Sequence, residues 1–93
     1  MANNLMISYD LNSPGQDYDA VISRIQSLGN WAKVHKSLWY VNSNYSAAQA
    51  ADLVWGKMDR NDQLIVIDTT NNNANWYNLS DEVSGFIRQY WQR

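Results

Sequence analysis

The order in which hydrophobic periods change along this chain limits its fold more than any other feature. A mainly apolar stretch at about 5–11 reads as a buried strand, apolar residues then recur on one helical face through Tyr18, Val21, Ile22, Ile25 and Leu28, and the pattern turns to alternation between Trp31 and Ser43. A second helical face follows through Leu53, Val54 and Met58, preceded by the small alanines 47, 48, 50 and 51. Residues 63–67, Gln-Leu-Ile-Val-Ile, are the most continuously apolar of the strand candidates, too short for a typical helix and rich in β-branched residues, which predicts a fourth strand. Val83, Phe86, Ile87, Tyr90 and Trp91 close the chain as a wide helical stripe over about 80–92.

Local punctuation agrees with these periods. Ser13, Pro14 and Gln16 read as N-cap, first helical residue and capping-box partner of the first helix, and Gly29 stops it. Lys36-Ser37 breaks the alternating region into strands at 31–35 and 37–43. Ser46 and Gln49 form another capping box, Asp59-Arg60-Asn61 ends that helix, and Ser80-Asp81-Glu82 opens the last one. The asparagine-rich stretch 69–78 is a polar loop.

Strand, helix, strand, strand, helix, strand and a trailing helix predict an α+β fold: a ferredoxin-like βαββαβ plait with an extra C-terminal helix, sheet order 4-1-3-2. At 93 residues the chain makes one folding unit, 1–93, in which the 69–93 loop and helix pack on their own or a partner subunit. The absence of cysteine removes disulfides, thiolate zinc sites and thiol nucleophiles, and suits a reducing compartment, so a cytoplasmic location is expected. No run approaches the roughly 20 apolar residues of a membrane span, and the start lacks a signal-peptide pattern.

A net charge of −2 and a pI near 5.0 give no global attraction to phosphate. A nucleic-acid role therefore needs a local patch, and Lys33 and Lys36, with His35 between them and Trp31 and Trp39 flanking, are the densest basic and aromatic cluster. The competing reading is an edge strand whose lysines discourage aggregation.

In the order 4-1-3-2, strands one and two run one way and strands three and four the other. Asp10, His35, Ser37 and Asp62 then fall along one rim, and Asp68 falls at the opposite end. An oxygen-rich rim suits a hard cation such as Mg2+, while one histidine and no cysteine argue against zinc. Each residue also has an ordinary role. Asp10 could cap the helix or turn at 12–16, His35 could simply end a strand, Ser37 could be a turn residue, and Asp62 a solvated acid. No Gly-rich phosphate loop, serine elbow or HExxH helix is present. Trp55 and Trp91 fit core or interface positions. Trp76-Tyr77 could stack a base, but a clasp on the last helix is favoured.

Ser8-Tyr9-Asp10-Leu11 and Lys33-Val34-His35-Lys36-Ser37-Leu38-Trp39 resemble two motifs of the small CRISPR-associated Cas-two family: a first strand ending tyrosine-aspartate-aliphatic, and a polar-x-serine-aliphatic-aromatic segment. The stretch from Asp10 to Tyr18 is similar to stand-alone, SinR-like members. The resemblance implies a homodimer of facing sheets, completed by carboxyl-terminal segments that reach across. It also implies a divalent metal shared by Asp10 and its symmetry mate for phosphodiester cleavage, with Ser37 matching the family serine. The expected function is thus a metal-dependent endonuclease on RNA or DNA, with Asp10, Ser37 and His35 catalytic, Asp10 the metal ligand, and Lys33, Lys36 and Trp39 contacting nucleic acid. The alternative is a noncatalytic dimeric module that holds nucleic acid, nucleotide or a protein; a toxin-like ribonuclease is a third reading with the same chemistry. Gln16, Asp17 and Asp19 stand where many relatives carry basic residues, which argues against a wide nucleic-acid groove.

Overall fold

A computed structural model describes residues 2–11, 18–70, 72 and 74–91. The described residues form four strands and three helices in the order β1 (Asn3–Asp10), α1 (Tyr18–Gln26), β2 (Gly29–His35), β3 (Leu38–Ser43), α2 (Ala47–Trp55), β4 (Gln63–Asp68) and α3 (Asp81–Tyr90). The start of the first helix, with its expected cap at Ser13 to Gln16, lies outside the described residues. The strands make one antiparallel sheet in the order β2-β3-β1-β4, so β1 and β2 are parallel to each other and the expected strand order holds.

Side chains alternate across this sheet, and each face has its own cover. Leu5, Ile7 and Tyr9 of β1 and Trp39 and Val41 of β3 point to the face covered by α1 and α2. There they join Val21, Ile25, Ala50 and Val54 in the main core. Both helix pairs, Val21/Ile25 and Ala50/Val54, are spaced i, i+4, which is why one face of each helix is buried. Each large aliphatic side chain withdrawn from water stabilises the fold by about 1.5–3 kcal/mol. The Ser46 capping box forms as expected, with Gln49 N–H donating to Ser46 Oγ at 3.1 Å and Ser46 N–H donating to Gln49 Oε1 at 2.9 Å.

Two local expectations need correction. Gly29 does not stop α1, which ends at Gln26; it opens β2 instead, where an added Cβ would sit 2.1 Å from the Asn42 carbonyl oxygen. The glycine is needed for close strand approach. Of the core or interface position expected for Trp55, the core part does not hold: it is 41% exposed at the end of α2.

The opposite, outer face of the sheet carries α3. The Ser80 cap holds, with Val83 N–H donating to Ser80 Oγ at 3.1 Å, and α3 lies against β2. Tyr40 of β3 stacks on Trp91 at 5.6 Å and meets Phe86 edge-on at 6.2 Å. The polar groups beneath are paired: Tyr40 O–H donates to Asn4 Oδ1 at 3.0 Å, and Asn42 Nδ2 donates to the Tyr90 carbonyl at 3.1 Å. Burial pushes the Tyr40 hydroxyl pKa up, only partly offset by the Asn42 side chain. Trp76 does act as a clasp, its indole N–H donating to Ser84 Oγ at 2.9 Å and its ring facing the Arg88 guanidinium at 5.2 Å. Among the described residues no helix is long and apolar enough to cross a membrane.

Candidate functional site

α3 covers the β2/β3 half of the outer face and leaves the β1/β4 half open. Register decides what that open half displays. Met6, Ser8 and Asp10 of β1 pair with Ile67, Ile65 and Gln63 of β4, and all six point to the outer face. Ile65 is 56% exposed and Ile67 47%. β4 is a sheet edge, as the strand order expected, and no described element covers its outer face.

Asp10 ends β1 at the rim of this open half. Its side chain is exposed, and no hydrogen bond or ion pair holds the carboxylate among the described residues; the expected cap of the turn at 12–16 lies outside them. The Tyr9 N–H donates to the Ser37 carbonyl at 3.2 Å, which ties the β2–β3 turn to the end of β1 and puts Ser37 beside Asp10. Ser8, Asp10, Ser37, Gln63 and Ile65 line one shallow depression of about 420 Å³. Topology thus brings Asp10 and Ser37 together from segments far apart in sequence. Lys36, exposed in the same turn, adds a cation next to Ser37.

The other expected members of the rim do not line this depression. Asp62 is buried rather than solvated, and its carboxylate accepts the Asp59 N–H at 2.7 Å in the turn before β4. Asp68 lies at the opposite end of the sheet, paired with Leu5, as the topology required. His35 ends β2 beyond a register shift between Lys33 and His35, on the same outer face as Asp10. Lys33 pairs with Trp39 on the helix-covered face, whereas His35 pairs with Leu38 on the outer face and lines a cavity beneath α3 instead of the Asp10 depression.

Trp39 requires a correction as a nucleic-acid contact. It is 2% exposed, packed edge-on against Trp31 at 5.4 Å, with the Lys33 ammonium 5.8 Å from its ring centroid. A base could stack on Trp39 only if the core opened. Its indole N–H is buried without an acceptor. The basic and aromatic cluster read from the sequence is therefore split: Lys33 lies over the core aromatics and Lys36 at the Asp10 rim.

Gln63, Ile65 and Ile67 belong to this surface although sequence reasoning did not select them. The signal that could have found them is a continuous apolar run on an edge strand. Among the described residues no three His, Cys, Asp or Glu side chains gather into a metal-binding group. One Asp10 with Ser37 offers a hard cation too few charged oxygens. The residues fit such an ion only if a second copy contributes its own Asp10. Comparison with protein-family models, with curated proteins and with solved structures gave no match.

Proposed function

We propose that this chain is a Cas-two-like protein on a ferredoxin-like plait, which acts as a homodimer and as a magnesium-dependent endonuclease on RNA or DNA. The observation that carries this reading is the exposed Asp10 carboxylate, without a partner among the described residues, at the edge of an open apolar half-face. A strand as apolar as β4 loses little by being covered twice, and a second copy of the same half-face covers Ile65 and Ile67 with their own equivalents. A twofold join of that kind sets two Asp10 side chains at one seam. A bound magnesium ion would supply Lewis acidity there, lowering the pKa of a water and offsetting charge on the phosphate. Asp10 of each protomer holds the site, the Ser37 hydroxyl donates to a phosphate oxygen, and Lys36 draws the backbone to the rim.

The noncatalytic module is kept as the second reading, favoured by the single carboxylate in each protomer's depression. One experiment separates the two. End-labelled RNA and DNA are incubated with the protein in Mg2+ or in EDTA. Cleavage is expected in Mg2+, lost in EDTA, and reduced by about 100-fold or more in Asp10→Asn with the melting temperature unchanged. No cleavage by the wild type, together with salt-sensitive binding that falls in Lys36→Ala, would replace the enzyme with the binding module.

A further inference from the structure

We propose that the cavity beneath α3 is a second ligand site, built to take one nucleobase with its attached 5′-phosphate. It shares no lining residue with the Asp10 depression and does not depend on the nuclease reading. The cavity measures about 470 Å³, within the usual size range of small-molecule sites, roughly 300–1,000 Å³. Met6 and Leu38 of the sheet form its floor, and Trp76 and Trp91 stand along its wall.

The two tryptophans are fixed before any ligand arrives. The Trp76 N–H is committed to Ser84 Oγ at 2.9 Å and the Trp91 N–H to the Asn72 carbonyl at 2.8 Å. Their indole donors are therefore spent on the protein, and what they offer the cavity is carbon surface held in place. Rigid walls reduce the ordering cost of binding. Trp91 already has Tyr40 stacked on it, and the Trp76 ring faces Arg88.

Polar side chains also line the cavity. His35, displaced to this face by the β2 register shift, and Asn75 both line the cavity, and between them they can donate and accept. An adjoining recess of about 300 Å³ shares Asn75, Trp76, Ile87 and Trp91 with the main cavity and adds Arg88. Among the described residues no acidic side chain lines either space, so the Arg88 guanidinium favours an anion. Flat apolar walls, an amide and an imidazole for a heterocycle edge, and an arginine one step away match a base and its phosphate. A simple aliphatic ligand would leave the polar groups unused. Stacking on aromatic side chains contributes about 1–3 kcal/mol per base.

The test is a tryptophan-fluorescence titration of the full chain with AMP, GMP, CMP and UMP, the matching nucleosides, inorganic phosphate, and a single-stranded pentanucleotide. At least one monophosphate is expected to give a saturable change. Arg88→Gln, at an exposed position, should weaken that monophosphate about tenfold and leave its nucleoside nearly unaffected. Asn75→Ala should weaken monophosphate and nucleoside alike. Asp10→Asn should change neither, which separates this site from the proposed nuclease site. Tighter binding of the pentanucleotide, also lost in Arg88→Gln, would assign the base to a nucleic acid; equal or weaker binding would assign it to a free nucleotide. The proposal is overturned if no monophosphate saturates the folded wild type at millimolar concentration, or if Arg88→Gln leaves the affinity of the monophosphate unchanged.

Discussion

The two halves of the outer sheet face have opposite fates. Over β2 and β3, α3 and the Trp76 clasp cover Tyr40, Asn42 and Ala32, and the polar groups beneath are hydrogen-bonded within the chain. Over β1 and β4, two isoleucines stand half-exposed beside an exposed aspartate. The same strand alternation produced both surfaces, so the difference lies in what covers them. One half is completed by the chain's own last helix. The other half is left for something outside the protomer, and its apolar composition is what a second copy would bury.

Perturbing each half should therefore give different readouts. The largest effect on folding is expected in the covered half, where Ile87→Ala removes a buried side chain from under α3. A loss of about 2–5 kcal/mol should lower the melting temperature by about 10 °C or more, with little change in oligomeric state. In the open half, Ile65→Lys should do the reverse. Sedimentation should show the dimer dissociation constant raised by about 100-fold or more, while protomer stability stays within about 0.5 kcal/mol. A melting temperature that falls for Ile65→Lys as steeply as for Ile87→Ala would erase the distinction between the halves.

The smallest effect concerns pH. The Tyr40 pKa is raised by burial, so the folded state keeps this proton to a higher pH than the unfolded chain does. The stability linked to it is complete below the ordinary tyrosine value near 10.0 and is lost as pH rises through the folded-state value. Denaturant titrations from pH 9 to 11 should show a downward slope that is shallower in Tyr40→Phe. At neutral pH that variant should lose about 1 kcal/mol, from its hydrogen bond to Asn4.

What could be read from the residues alone was whatever follows from period and order. The strand order, the Ser46 and Ser80 caps, and the placing of Asp10 and Asp68 at opposite ends all follow from local chemistry and chain topology. His35 ends β2 on the same outer face as Asp10 yet lines the cavity beneath α3, and which of two neighbouring hollows a strand-end side chain lines depends on where α3 lands and not on alternation. Trp39 escaped because a tryptophan beside lysines looks the same whether it lies in solvent or beneath a cation. Asp62 was misjudged because its partner is a backbone N–H three residues away, a choice made by turn geometry and not by residue type. The exposure of Ile65 and Ile67 depends on where α3 lands, and the apolar stripe of α3 does not specify which half of the sheet it covers.

The absence of cysteine from the chain allows a direct test of whether two Asp10 side chains meet at the open half. Asp10→Cys places a single thiol at the proposed seam, and Ser23→Cys places one on the exposed side of α1 as a control. With a short bismaleimide at micromolar protein, the predicted result is rapid conversion of Asp10→Cys to a covalent dimer, with Ser23→Cys remaining monomeric. If Asp10→Cys stays monomeric, or crosslinks no faster than the control, the two aspartates do not share a site and the metal-dependent dimer is wrong.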